Sequence, residues 1–576
     1  MFKLFKAILL CFSILGFTSC KKSQQTFADL IITNAKIITV DSSFSIASDL
    51  AIKGDRFIGV GTQEEISGFK GNETRIIDLQ GKTVVPGLID AHMHPETASI
   101  SELDEEIPVL NSIEDLLQWI RAQATTKAAG EWIIHPKLFY TRLGDLRQPT
   151  IEELDEAAPK NPVFLNGSYG GLINTQALKV SRITLDPKNE GLIKDPETNE
   201  FTGFIKGTAF RLLKLPPEKE ISKPEKTKAI KTLFSEYNRY GITGIISGYI
   251  YPDFYEIYKE LNQSKGLSLR IYQNYLFPFD GVESKEALID SINSLPTKTG
   301  EGDEWLRTGS MKIILDGGIL TGTAYLREPW GEQAAKVYNI TDPKYTGFVK
   351  YTPERLYDIV TAIDQAGWIF TAHSTGGGGV DLLLDTFEKL NSTRPVNDKR
   401  FSIIHGNFYT KESIQRMHDL GIMGNIQPAW FYEDADAMKY ILGEQRIKTF
   451  NPYGSMQRKG VILNGGSDHM VKLDANTSIN PYNPFLGMWV MVTRTTKDGT
   501  IIEPDEALTR EAALKAYTIN NAYATFEESI KGSIEVGKLA DLAVLSKDPL
   551  TCSENEIKTI ESELTIVGGK VVYKVE

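Results

Sequence analysis

The chain has 576 residues, 41% hydrophobic and 24% charged, a globular balance with enough apolar material for a large core, so disorder is not the default reading. A formal net charge of −12 without a long basic stripe argues against phosphate-backbone binding, and no nucleic-acid partner is expected. The charge says little about a small-molecule substrate, because local site charge can oppose the global sign.

In chain order, Lys3 and Lys6 precede an apolar run over 7–17, and Thr18 and Ser19 lead to Cys20, the layout of an export signal. The run falls short of the ~20 apolar residues that cross a bilayer. Phe17-Thr18-Ser19-Cys20 resembles the lipobox of bacterial lipoproteins, with Phe where Leu is usual. The resemblance implies a signal peptide over 1–19, a lipidated Cys20 and a polar tether over 20–27. The protein would then sit at the cell envelope, facing the periplasm or the outer surface, with membrane contact through Cys20. A plain secretory signal with an incidental cysteine is the alternative. Cys11 leaves with the signal and Cys552 has no partner, so no disulfide framework is expected.

Short β-rich runs over 28–38 and 49–60 share their texture with 540–545 and 564–573. These predict a small composite β-sandwich from residues 28–83 and 534–576, with the termini meeting. Between them, over 84–533, apolar strand-like runs alternate with amphipathic stretches, the pattern of an α/β fold with a parallel sheet. Eight strands are predicted at 83–91, 241–248, 269–276, 311–315, 368–373, 401–405, 421–427 and 460–466, consistent with a (β/α)8 TIM-like barrel. Residues 101 to about 225 exceed one crossover and read as a helical insertion covering the mouth.

Several of these strands end in chemistry. Val84 to His94 is an apolar strand running into His92-Met93-His94, and residues two apart on a strand face one side, so both imidazoles can converge on one ion. Zinc suits such donors, though imidazole does not exclude iron, nickel or manganese. The runs ending at His373 and His405 repeat the design, and 461–468 ends in Asp468. Four of the chain's seven histidines thus fall at predicted strand ends, where barrel enzymes gather their active sites.

With these histidines, Arg147-Gln148-Pro149-Thr150, Leu154-Asp155, Asn174 to Leu178, Gln427-Pro428, Gly466-Ser467-Asp468 and the tail Lys531 to Leu542, the sequence resembles the amidohydrolase superfamily. Within it, the likeness is to the YtcJ-like branch that includes N-substituted formamide deformylases, and it covers nearly the whole mature chain. The resemblance implies a metal centre of one or two divalent ions, zinc foremost, held by His92, His94, His373, His405 and Asp468. It adds Lys312, as a carboxylated bridge between two metals; a buried lysine paired with Asp316, or a single-metal site, is the alternative. Hydroxide on the metal would attack a carbonyl, with Asp468 both a ligand and the proton carrier. The expected reaction is cleavage of a C–N bond in a small amide, formamide or cyclic amide; an esterase or lactonase, or a binding lipoprotein without turnover, are the alternatives.

The sequence also departs from the family. Ser374-Thr375-Gly376-Gly377-Gly378-Gly379 puts Gly377 where an acid is expected, and the four glycines suggest unusual backbone freedom. Ser168-Tyr169 stands in place of a Gly-His pair, and Ile404 in place of a common Glu. Tyr169, Trp330, Trp430 and His469 are candidates to meet the substrate, with Phe431 and Tyr432 beside them, against ordinary packing as the alternative. His135 and His418 are assigned no chemistry. Oligomeric state is open, a homo-oligomer included.

Overall fold

The computed structural model describes residues 26–576 except 104, 169, 187, 188, 190, 196, 197, 218 and 283, so the leader, Cys20 and Tyr169 lie outside the described residues. Eight parallel strands stand side by side in chain order: β1 (Leu88–Met93), β2 (Ile242–Ser247), β3 (Arg270–Leu276), β4 (Leu306–Ile314), β5 (Phe370–Ser374), β6 (Ser402–His405), β7 (Met423–Ile426) and β8 (Leu463–Gly465). Most of their residues are buried, as apolar runs covered on both faces must be.

The run expected as one strand over 83–91 is two. Thr83–Pro86 pairs with Lys36–Ile38 and Leu542–Leu545 in a separate sheet, and only after Gly87 does the chain enter β1. Gly87 passes so close to Thr243 that a Cβ there would lie 2.1 Å from its Oγ1, and its N–H donates to Asp541 O at 2.9 Å.

That separate sheet has six strands and sets Leu542–Leu545, Ser562–Val567 and Lys570–Lys574 beside N-terminal strands. A four-stranded sheet formed from residues 30–78 faces it across a shared apolar core that includes Ile32, Leu50, Phe57, Val84, Leu542 and Ile566. Buried Arg270 on β3 ties this unit to the barrel: its guanidinium donates to Asp541 at 2.6 and 2.9 Å and lies 4.5 Å over the Trp305 ring.

The barrel is nearly closed. Between the lower parts of β8 and β1, side-chain amides make the bridge: Asn521 Nδ2 donates to Ile89 O at 2.6 Å and to Gly465 O at 2.9 Å. Asn425 on β7 reaches Ala91 O at 3.0 Å. Higher up, backbone bonds take over, from Asp468 N to His92 O and from His94 N to His469 O, both 2.7 Å. Gly466 is required at this junction, since a Cβ would fall 2.6 Å from His92 N.

The insertion is helical only in part. It holds a five-stranded sheet (Ile133–His135, Val163–Asn166, Gly170–Ile173, Leu192–Lys194, Phe201–Lys206) with helices Ile113–Thr126, Ile151–Ala157 and Thr175–Ser181. Its strands carry β-branched and aromatic residues that cover a local core of Trp132, Phe164, Ile173, Phe201 and Ile205, which favours sheet over helix. Among the described residues no helix is long and apolar enough to cross a membrane.

Candidate metal centre

The C-terminal ends of the strands converge on one cavity of about 460 Å³, and His92, His94, Lys312, His373, His405 and Asp468 all line it. Strand β1 delivers His92 and His94, whose Nε2 atoms lie 3.5 and 3.4 Å from Asp468 Oδ1. Ligand atoms of these three residues fall within 4.8 Å of one another. Lys312 on β4 places Nζ 3.2 Å from His92 Nε2. The His373 and His405 rings, from β5 and β6, are 4.7 Å apart, and His405 is 5.7 Å from His92.

Two of the imidazoles, His405 and His373, are oriented by an outer partner, whereas His92 Nδ1 is buried without one among the described residues. His405 Nδ1 meets Gln427 Oε1 at 2.8 Å, Gln427 donates to Asn425 at 2.8 Å, and Asn425 is anchored on β1. With the proton on Nδ1, Nε2 keeps the lone pair. Trp430 stacks on the other side of this ring at 4.4 Å and 16°. His373 Nε2 lies 3.2 Å from Gly317 O, which favours the tautomer with its lone pair on Nδ1. Gly248 makes room for His94, because a Cβ there would sit 2.2 Å from the ring. His405 (φ 75°) and Asp468 (φ 58°) both occupy the left-handed region, a strain of about 1–3 kcal/mol each that the surrounding structure must hold.

Burial, with the nearby Lys312 charge and the other imidazoles, pushes His92 and His373 well below the usual imidazole range; burial pushes His405 to about 4. These rings are therefore neutral at pH 7 and keep the lone pair a metal needs. Burial works to raise the Asp468 carboxyl, but the hydrogen bond with His94 and the charges around it prevail, and it stays an anion below its ordinary value. Burial lowers the Lys312 ammonium to about 8. Neutral imidazoles converging with one carboxylate oxygen are a donor set that fits a divalent cation.

Residues 75–573 match the model of the amidohydrolase family. The chain belongs to this family. N-substituted formamide deformylase of Arthrobacter pascens is 30% identical over 563 residues, covering 95% of this chain and 98% of that protein. The putative amidohydrolase YtcJ of Bacillus subtilis is 26% identical over 534 residues, 90% of this chain and 94% of that one. The solved structure of an uncharacterized metal-dependent hydrolase from Pyrococcus horikoshii shares the fold, with a TM-score of 0.66 at 22% identity, covering 91% of this chain and 99% of that one.

Other expectations about this amidohydrolase fare differently. Lys312 is not paired with Asp316, whose buried carboxylate instead accepts N–H bonds from Thr375 (2.9 Å), Gly376 (2.8 Å) and Tyr325 (3.0 Å). The glycine run is not a loop of unusual backbone. Gly376 caps the helix Gly377–Asn391 at φ −83°, and none of the four glycines has a positive φ. What they supply is closeness: a Cβ on Gly376 would lie 2.0 Å from Tyr325 O, on Gly377 2.2 Å from Arg327 Nη1, and on Gly379 2.4 Å from Ser374 Oγ. The segment after β4, which brings Ile319, Leu320 and Thr321 to the cavity wall, packs against this glycine surface.

Of the substrate candidates, Trp430 lines the cavity and Tyr169 lies outside the described residues. Trp330 is a core residue, 1% exposed, donating to Ala324 O at 3.1 Å and packed on Tyr338. His469 is likewise not at the rim: it is fully buried, Nδ1 2.8 Å from Tyr237 Oη and Nε2 2.6 Å from Lys472 O. The left-handed turn at Asp468 explains this, since it directs successive side chains differently than an extended strand would. His135 is buried against the Trp119 ring, and His418 is exposed on a helix.

The structure adds wall residues of the amidohydrolase that sequence patterns did not single out. Tyr249 packs edge-on to His94 at 5.3 Å and hydrogen-bonds Tyr251 through the two hydroxyls. Lys137 reaches the cavity from the insertion. Their one signal was position: Tyr249 and Tyr251 follow a strand end, where barrel loops carry function.

Proposed function

We propose that this amidohydrolase cleaves the C–N bond of a small amide, formamide or cyclic amide, using one or two divalent cations, zinc foremost, held by His92, His94, His373, His405 and Asp468. The observation that carries the reading is the convergence of neutral imidazoles and one carboxylate at the strand ends. A divalent cation held by these residues would supply an acidified water near pH 7 and polarise a carbonyl oxygen.

Asp468 is the proton carrier. Its carboxylate takes a proton from the attacking water and returns it to the departing nitrogen. Asn480 holds the Asp468 backbone in place, donating to its carbonyl oxygen at 2.8 Å, with the carboxylate Oδ2 at 3.5 Å. Lys312, lowered by burial to about 8, has an appreciable unprotonated fraction at neutral pH, the form that reacts with CO2, and its carbamate would be an anionic bridging ligand beside His92. Residues 1–19 serve export and Cys20 carries the lipid, a reading that rests on the lipobox-like sequence alone. The division into a composite unit of 28–83 with 534–576 and a barrel of 84–533 belongs to the same proposal.

The test is a screen of N-formyl, N-acyl and cyclic amides with zinc-loaded protein and its Asp468→Asn variant, alongside elemental analysis. Turnover should fall by about 10²–10⁴-fold in the variant while the protein stays folded. Full activity of Asp468→Asn would remove Asp468 from the mechanism.

A further inference from the structure

The cavity wall carries one cation that the proton transfers above do not use. Lys137 follows the insertion strand Ile133–His135 and lines the same cavity as the four histidines. Its ammonium bonds the Ser168 hydroxyl, and among the described residues no ion pair joins it to a carboxylate. Ser168 itself is held in a left-handed conformation, φ 74°, unusual for a residue other than glycine.

The charge of Lys137 is felt at the centre: it lowers the proton affinity of His94, and Asp468 in turn favours the protonated lysine. Burial works the other way, lowering Lys137 to about 8, so it is mostly cationic at neutral pH. Around it the wall is aromatic or aliphatic, with Phe139, Tyr249, Tyr251, Ile319 and Leu320. A half-buried cation among such groups feels Asp468 only at a distance and, among the described residues, has no carboxylate in contact, and a ligand anion arriving from solvent would supply that contact.

We propose that Lys137 recognises a carboxylate of the substrate, and that the amide cleaved is an N-acyl amino acid with an apolar side chain. The acyl carbonyl faces the histidine cluster, the carboxylate meets Lys137, and the apolar side chain lies on the wall between. Hydrolysis adds water across the C–N bond: the acyl carbon gains the oxygen, the nitrogen gains the proton carried by Asp468, and a carboxylic acid and a free amino acid leave. This assignment rests on the hydrolase reading for its chemistry but not for its binding contact.

The experiment separates the two. Zinc-loaded wild type, Lys137→Met and Lys137→Arg are titrated calorimetrically with two uncleavable ketones, in which CH2 replaces the amide N–H of N-acetyl-leucine and of N-acetyl-isopentylamine, its counterpart without the carboxylate. A charge-assisted contact predicts that wild type binds the anionic ketone about 10–100-fold more tightly than the neutral one. The preference should shrink to within about threefold in Lys137→Met and survive in part in Lys137→Arg. The kcat/KM ratio for the two amides should follow the same order, with the change in KM.

Equal binding of the two ketones by wild type, or a preference that survives Lys137→Met, overturns the assignment. So does an equal loss of kcat on both amides, which would make Lys137 a stabiliser of the developing oxyanion instead. If the binding preference follows Lys137 but neither amide nor any other is cleaved, the hydrolase reading fails and the carboxylate contact stands.

Discussion

Replacing Gly376 with alanine tests the finding that the glycine run serves close packing. The backbone there is ordinary, φ −83°, so alanine meets no conformational obstacle, and the stiffer unfolded chain alone would stabilise the protein by about 0.4–1 kcal/mol. The added Cβ would nevertheless sit 2.0 Å from Tyr325 O and 2.4 Å from its carbonyl carbon, where carbon contacts are comfortable near about 3.5 Å. The obstacle is backbone and cannot swing away as a flexible side chain could. Overpacking of this kind costs about 1–3 kcal/mol, and the upper end applies, for a net loss of about 2 kcal/mol. The displaced segment would also pull Tyr325 N from Asp316 and shift Ile319 and Leu320 on the cavity wall, so KM should rise. Urea unfolding midpoints are compared with Gly68→Ala, where φ is −65° and a Cβ meets nothing within 4 Å. If Gly376→Ala proves as stable as Gly68→Ala with an unchanged KM, close approach is not what the glycines provide.

Trp430→Ala removes the ring stacked on His405 and should weaken retention of an added divalent metal by about 10–100-fold in a chelator competition, with Trp430→Phe close to wild type; equal loss in both variants would contradict the stacking role. His135 is pushed by burial from 6.5 to about 4, so the unfolded chain takes up its proton first. Its stability contribution is therefore complete above about pH 6.5 and disappears as pH falls toward 4. His135→Phe, which keeps a ring against Trp119, should flatten the stability curve over that window, and an acid limb identical to wild type would count against the assignment. Arg270→Met leaves Asp541 buried without its partner and should cost about 3–5 kcal/mol, measured by denaturant unfolding; a loss below about 1 kcal/mol would show that the pair is dispensable.

The convergence of these histidines and Asp468 was legible because its signal is local. His92 and His94 are two apart on a strand, and His373, His405 and Asp468 each close an apolar run, so the strands that bury the runs also bring their ends together. Lys137 offered no such mark: in Ile134-His135-Pro136-Lys137-Leu138 it looks like any surface lysine, and only the packing of the insertion over the mouth gives it a direction. Trp330 and His469 failed for the converse reason. Both stand next to functional segments in the chain, but adjacency in sequence does not fix which way a side chain points once the backbone turns. Glycines 376–379 show a further limit, since a sequence reports the missing side chain and not whether the gap serves rotation or a neighbour. Asn425 and Asn521, whose amides bridge distant carbonyls, carry no pattern at all.

The position of the barrel seam gives the proposed metal ligands a second consequence. His92 lies on the first barrel strand, His94 just past its end and Asp468 beyond the last strand, so an ion shared by the three would act as a clasp across the junction where regular strand pairing gives way to side-chain amide bridges and a few backbone bonds. Loading the metal would thereby crosslink the two ends of a cylinder through a loop nearly as long as the barrel sequence itself, and constraints on long loops remove the most freedom from the unfolded chain. Amide hydrogen exchange along Leu88–Met93 and Leu463–Gly465 should slow on metal binding more than exchange in the strands on the far side, making the catalytic centre also the fastener of its own scaffold.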